Sequence, residues 1–231
     1  FGDTCLRIKH NDNKQHSNWN VVVDALDLAT LNPLWSRNFP KQGPTLDGTS
    51  ETGKLLMGWK AQAEGLKDEI ARDPKLQARW PNDKPGEADY FLEVLNARDG
   101  STIGSVYLRT GRYSFVPEYW NAAGEALIIA DNRHRVLLYS SATGEQRAKW
   151  FGDRPKLSRH GDRLCLANGR AHLLVYDVKT LKLTNEYFFT EPVMFKIFSE
   201  DGKRLLVMTS DQTLFLLDLA QGQSTPVLAS R

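Results

Sequence analysis

An all-β fold, a β-propeller of four-stranded blades, is what the sequence predicts, and three observations predict it. A turn-and-strand unit recurs along the 231 residues. Its period is about 40 residues, the length of one propeller blade. Its apolar runs are short, rich in Val, Ile, Leu, Phe and Tyr, and broken by Gly, Pro and Asn, which disfavours helical repeats of similar length.

The first mark of each unit is a glycine turn entering an apolar run. Gly2 leads to Cys5-Leu6, Gly53 to Leu55-Leu56-Met57, Gly124 to Leu127-Ile128-Ile129, Gly161 to Leu164-Cys165-Leu166 and Gly202 to Leu205-Leu206-Val207. The second mark is an apolar strand ending in a polar turn, as in Val136-Leu137-Leu138-Tyr139 before Thr143-Gly144. Anchored on Leu31, Gly100, Gly144, Leu181 and Gly222, the second marks lie 69, 44, 37 and 41 residues apart, so the first interval holds an insertion of about 30 residues.

With strands named A to D along each unit, the glycine turn is A–B and the polar turn is C–D. Strand A is expected at Pro44–Asp47, Phe115–Trp120, Pro155–Ser158 and Val193–Phe198. Strand D is expected at Leu34–Phe39, Thr102–Leu108, Arg147–Phe151, Thr184–Phe189 and Ser224–Leu228. Gly2 already occupies an A–B turn, so five blades are visible and the first lacks its A strand. An unfilled A position leaves a sheet edge open. The expectation is part of a larger propeller of about seven blades, completed by more chain or by another subunit and more stable once the missing strand is supplied.

Tyr176-Asp177 and Leu217-Asp218 fall where the Trp-Asp dipeptide sits in WD40 repeats. Ala25-x-Asp27-x-x-Thr30-x-x-x-x-Trp35 matches a quinoprotein-type blade, with Leu31 where that pattern prefers Gly. The repeats resemble the WD40-like and quinoprotein-like propeller families over nearly the whole chain, although the Gly-His dipeptide of WD40 blades is absent. The resemblance implies a fold more than a function. The quinoprotein-type blade also points to a bacterial, exported or cell-envelope setting.

Residues 1–231 read as a single propeller domain, with residues 60–88 as a helical insertion in the B–C loop of the second visible blade. Leu66 and Ile70 lie one helical turn apart. Asp73 suits an N-cap and Pro74 the first position of a second short helix, ended by Pro81, Pro85 and Gly86. The B–C loop of the first blade, His10 to Trp19, is a smaller elaboration. B–C and D–A loops share one face of a propeller, the top, so both elaborations belong there. Lying outside the repeat period, the 60–88 insertion is expected to be dispensable for the blade and to dock a partner.

Composition narrows the function. The net charge of +2 gives no case for nucleic acid, and no apolar run reaches the length of a membrane span. Two cysteines exclude a disulfide scaffold and a cysteine zinc site. His10, Asp12 and His16 share a loop but match no metal-site spacing. There is no Gly-x-Ser-x-Gly elbow and no phosphate-binding glycine loop. Ser158-Arg159-His160 reads as a turn, and Cys5 and Cys165, both in B strands, read as core thiols. The expectation is therefore no catalysis, no cofactor and no metal.

Apart from the two elaborations, the top loops carry Lys41, Arg109, Arg112, Arg133, Arg135, Arg154 and Arg170 against Asp131, Asp153, Glu191 and Asp211. Arginine suits carboxylate and phosphate recognition. Trp19, Trp59 and Trp80 fall at or near the elaborated loops, where an exposed Trp beside arginines marks a binding hot spot. Trp120 and Trp150 read as blade packing. The expected function is a non-enzymatic scaffold that binds an acidic protein or peptide through Trp59, Trp80, Arg112, Arg133, Arg135 and Arg154. The alternative is the propeller part of an enzyme, either a quinoprotein-type dehydrogenase or a propeller-gated hydrolase. In the dehydrogenase, A-strand groups such as Asp47, Glu118 and Lys156 would face a cofactor.

Overall fold

A computed structural model describes residues 4–11, 20–41, 43–49, 52–110 and 117–220. They form five antiparallel sheets in two compact units, Phe1–Phe115 with Ser141–Glu145, and Val116–Ser140 with Gln146–Arg231.

In the first unit, β1 (Thr4–Asn11), β2 (Asn20–Asp27) and β3 (Pro33–Phe39) make a three-stranded sheet in chain order. A four-stranded sheet follows: β4 (Thr45–Thr49), β5 (Lys54–Lys60), β6 (Tyr90–Asn96) and β7 (Thr102–Leu108). Between β5 and β6 the chain forms α1 (Glu64–Arg72) and α2 (Pro74–Gln77). Asp73 caps α2, its Oδ1 accepting from the Lys75 amide at 2.8 Å, and Pro74 fills the first turn where no amide proton is needed.

The second unit holds three further blades. They are β8 (Pro117–Ala123), β9 (Ala126–Asp131), β10 (Arg135–Ser140) and β11 (Gln146–Phe151); then β12 (Asp153–Leu157), β13 (Arg163–Ala167), β14 (His172–Asp177) and β15 (Leu183–Phe188); then β16 (Val193–Phe198), β17 (Arg204–Thr209) and β18 (Leu214–Asp218). The first strand β12 neighbours both β8 and β16, as inner strands of adjacent blades do.

The core lies between blades, and strand alternation explains how. On β13, Leu164 and Leu166 point to one face and join Ile128, Val136 and Leu138 of the preceding blade. Cys165 and Ala167 point to the other and join Leu205 and Val207 of the following blade. Both faces of β13 are thus buried, as are those of β9, which is why these two strands read as unbroken apolar runs. The outer strands β3 and β11 face a neighbour on one side only and alternate in exposure.

The repeat marks correspond to one backbone device. Leu31, Gly100, Gly144 and Leu181 all have left-handed backbone, with φ of 58°, 70°, 73° and 62°. In three of these C–D turns the marked residue donates its amide to the carbonyl four residues earlier: Leu31 to Asp27 at 2.7 Å, Gly100 to Asn96 at 2.9 Å and Leu181 to Asp177 at 2.8 Å. Asp27 and Asp177 each brace the turn further, accepting from the amide and hydroxyl of Thr30 and Thr180. Glycine is needed where two A–B turns meet. A Cβ on Gly161 would sit 2.0 Å from the Ala123 carbonyl oxygen, and one on Gly124 2.2 Å from that of His160.

Outer strands also reach the next blade's C–D turn. Trp35 Nε1 donates to the Ala97 carbonyl at 2.9 Å, with its ring over Gly100. Arg147 donates to the carbonyls of Val178 and Lys179 at 3.1 and 3.3 Å. Trp35 is therefore a blade-stacking residue.

The 60–88 insertion shares the apolar core of its blade, a packing that the repeat period does not indicate. Leu66 and Leu76 are sealed from solvent and Ile70 nearly so, and all three join Trp59, Phe91 and Leu95 in one cluster. The period reports where strands recur and is silent on what a connection covers. Strand boundaries differ by a few residues from expectation, most at β8, which runs on to Ala123. Gly2, Phe115 and Ser224–Leu228 lie outside the described residues.

Candidate partner-binding surface

In the first unit the B–C connection of the second blade carries the insertion. Lys41, in the D–A connection, pairs with Asp68 of α1 at 3.2 Å, so the two connections meet on one face. Asp89 closes the insertion. Its carboxylate accepts from the Gly86 amide at 2.9 Å, Tyr107 Oη at 2.7 Å and the Thr110 amide at 2.9 Å. Burial alone would raise its pKa, but these hydrogen bonds outweigh that and hold it below the usual carboxylate range.

Trp59 and Trp80 do not form an exposed hot spot. Trp59 lies on β5, is 2% exposed, and packs edge-on to Phe39 at 5.4 Å. It ends the run Leu55-Leu56-Met57-Gly58-Trp59, and a strand buried on both faces leaves it no way out. Trp80 is half-buried, 5.8 Å from Phe91 and 5.7 Å from Tyr107. One wall of Trp80 still faces a recess of about 590 Å³, shared with Ala61, Ile70, Ala71 and Pro85.

A charged cluster that sequence reasoning missed lies under α1. Arg37 donates to Glu93 Oε1 at 3.1 Å and to the Gly100 carbonyl at 2.9 Å, and sits 3.9 Å from Glu69. Thr102 Oγ1 donates to Glu93 at 2.8 Å, and Arg72 to Glu69 at 2.8 Å. Burial raises the Glu69 pKa, against the pull of Arg72 and Arg37. A second recess, polar and about 540 Å³, borders these groups. The signal in sequence was weak, because Arg37, Glu69 and Glu93 come from three separate elements.

In the second unit the loop between β9 and β10 meets the start of β12. His134 Nδ1 is hydrogen-bonded to Asp153, and the Gly152 amide donates to the His134 carbonyl at 2.8 Å. The Asp153 contact raises the His134 pKa. Arg133 and Arg154 flank this junction, one residue from each partner, and both are exposed. Arg154 sits on β12 rather than in the loop, at a β-bulge with φ of 45° that re-aims its side chain. Arg135 is not available: its Nε donates to Asp131 at 2.7 Å in a largely buried pair. Arg112 lies outside the described residues, as do Asp12, His16 and Trp19.

The loop cations are thus fewer than their count suggests. Lys41 is paired with Asp68 and Arg109 with Asp83 at 2.7 Å, both acids supplied by the insertion. Among the described residues, Arg133, Arg154 and Arg170 form no ion pair. Cys165 is sealed in the core, its thiol pushed up to about 12 by burial. Lys196 on β16 is 9% exposed; burial pushes its pKa down, and Arg154 and Lys156 add to the effect. No helix is long and apolar enough to cross a membrane among the described residues.

No protein-family model matches the chain, and no curated protein matches it. Solved propeller structures do. KlHsv2 with loop 6CD replaced by a Gly-Ser linker is 11% identical with a TM-score of 0.57, over 97% of this chain and 65% of that one. The C-terminal WD40 domain of Sif2 is 13% identical with a TM-score of 0.49, over 97% of this chain and 53% of that one. Hydrazine synthase of Kuenenia stuttgartiensis is 18% identical with a TM-score of 0.43, over 61% and 45%. The chain spans less than two thirds of the length of each. Its fold is that of a β-propeller, described in five blade-like antiparallel sheets.

Proposed function

We propose that the chain is a non-enzymatic scaffold that binds a protein or peptide through the face formed by its B–C and D–A connections. The observation that carries this reading is the helical insertion. It is fixed to the blade by the buried Leu66 and Leu76, yet it leaves an apolar recess open beside Trp80. A rigid platform with an ordered, open concavity is suited to binding, since little is lost in ordering it. Arg133 and Arg154 give the second unit guanidinium groups without an ion pair among the described residues and favour an acidic partner. Arg112 belongs to the same proposal by its place in the sequence. The proposal includes further chain or another subunit that completes the propeller.

Photo-crosslinking tests it. A photoreactive residue placed at exposed Lys67 or Arg133 should yield a defined crosslinked partner under native conditions. The same residue at Thr143 or Lys179, in C–D turns, should not. Equal crosslinking from all four sites, or from none, would refute the reading.

A further inference from the structure

The recess in the insertion has a chemical character of its own. Its apolar wall is built by Ala61, Ile70, Trp80 and Pro85. Two amides hold that wall in place: Gln62 Nε2 donates to the Pro85 carbonyl at 3.2 Å, and Gln77 Nε2 to the Ala71 carbonyl at 3.2 Å. The first bond ties the start of the insertion to its end; the second ties α2 to the last turn of α1. The recess is therefore a braced shape and not a gap between loose loops.

Its rim is cationic. Lys67 and Lys84 both border the recess, both are exposed, and no acid shares the lining. The insertion's acids Asp68 and Asp83 pair instead with cations outside it, Lys41 and Arg109. Lys67 and Lys84 have no such partner among the described residues. A braced apolar hollow with two unmatched ammonium groups at its edge is complementary to a large apolar side chain flanked by carboxylates. The volume, about 590 Å³, is in the range of side-chain and ligand pockets, and the exposed rim suits a chain that passes over it better than an enclosed small molecule.

We infer that this recess is the docking site for an acidic peptide segment carrying one large apolar anchor residue. The inference rests on the scaffold reading above and names the partner's chemistry at one place. The anchor fills the hollow against Trp80 and Ile70, and its flanking Asp or Glu side chains pair with Lys67 and Lys84. The apolar contact supplies most of the affinity, and the exposed ion pairs select the sign of the flanks.

The test is amide and indole NMR on the ¹⁵N-labelled chain, titrated with three probes: acetyl-Glu-Asp-Phe-Asp-Glu-amide, the same peptide with Ala for Phe, and acetyl-Lys-Arg-Phe-Arg-Lys-amide. The acidic Phe peptide should shift the Trp80 indole signal and the Gln62 and Gln77 side-chain amides. The Ala peptide should not, and the basic peptide should bind more weakly by about tenfold or more. The double variant Lys67→Glu/Lys84→Glu, exposed on both counts, should reverse the preference for charge. Ala71→Trp, which fills the hollow, should abolish the shifts while the rest of the spectrum stays native. Absence of shifts at the recess, equal binding of acidic and basic peptides, or binding unchanged by Ala71→Trp would overturn the inference. Failure of the peptide titration in a chain that still yields a crosslinked partner from Arg133 would overturn this site and leave the scaffold reading standing.

Discussion

Leu66→Ala measures whether the insertion is part of the core. Leu66 is fully buried on α1, in the cluster with Trp59, Phe91 and Leu95. The change removes three carbons at about 0.8 kcal/mol each, and the hollow left behind adds a cavity cost, for a total of about 3 kcal/mol. Lys67→Ala, on the exposed face of the same helix, should stay within about 0.5 kcal/mol. The assay is equilibrium urea unfolding followed by tryptophan fluorescence, since Trp59 and Trp80 sit in the affected cluster. The two compact units can melt separately, so each transition is fitted on its own. Leu66→Ala should lower the midpoint of the transition that changes Trp59 fluorescence and leave the slope unchanged. Replacing residues 61–88 by a Gly-Ser turn should cost far more, because it also strips Leu76 and Ile70 from the cluster. A Leu66→Ala midpoint equal to that of Lys67→Ala, or a loop-replaced chain with native stability, would refute the packing argument.

Leu31→Gly should stabilise the chain by up to about 1 kcal/mol, because Leu31 holds a left-handed φ of 58° while 65% exposed, so strain is relieved and little packing lost; chemical denaturation reads the gain. Asp24 is held down to about 2 by hydrogen bonds from Ser36, Lys9 and Arg7. Its stabilisation is therefore full above its ordinary value of 3.8 and lost as pH falls toward 2. Asp24→Asn should cost about 1 kcal/mol at pH 7, allowing for solvent screening, and the gap to the unchanged chain should narrow between about pH 4 and 2 and close only below pH 2. Cys165, sealed and with its thiol raised to about 12, should resist a thiol reagent until denaturant is added, which timed absorbance at neutral pH checks. Arg133→Ala with Arg154→Ala should weaken an acidic partner captured by the second unit, more at low salt than at high, as read by titration at two ionic strengths.

The fold was legible because its signals are local. An αL turn needs a Gly or a tolerated substitute at one position, and Asp-x-x-Thr braces it within four residues, so Asp27 to Leu31 and Asp177 to Leu181 mark their turns even where Leu replaces Gly. Unbroken apolar runs identify strands such as β9 and β13 that are buried on both faces. The site was less legible because its determinants are distant pairings. The periodicity of Leu66 and Ile70 marks an apolar face but does not say that the face covers Trp59. Counting loop cations without the insertion's acids left Lys41 and Arg109 free, whereas Asp68 and Asp83 neutralise both. Arg135 could have been read as paired, since Asp131 lies four residues before it across a tight turn.

These pairings leave the two units with different binding physics. In the first, the open feature is an apolar hollow with Lys67 and Lys84 at its rim. In the second, it is the junction where Arg133 and Arg154 flank the His134–Asp153 contact. Contact with the hollow depends on apolar burial, which salt does not screen, whereas contact with exposed arginines weakens as ionic strength rises through 0.1 M, where the Debye length is about 10 Å. An acidic partner of the second unit's arginines should therefore lose affinity as salt rises, and Arg133→Ala with Arg154→Ala should remove that slope. The acidic Phe peptide at the hollow should keep a residual affinity once salt screens its pairs with Lys67 and Lys84, and Ala71→Trp should remove that residual. A peptide affinity that vanished completely at high salt in the unchanged chain would mean that the hollow contributes nothing.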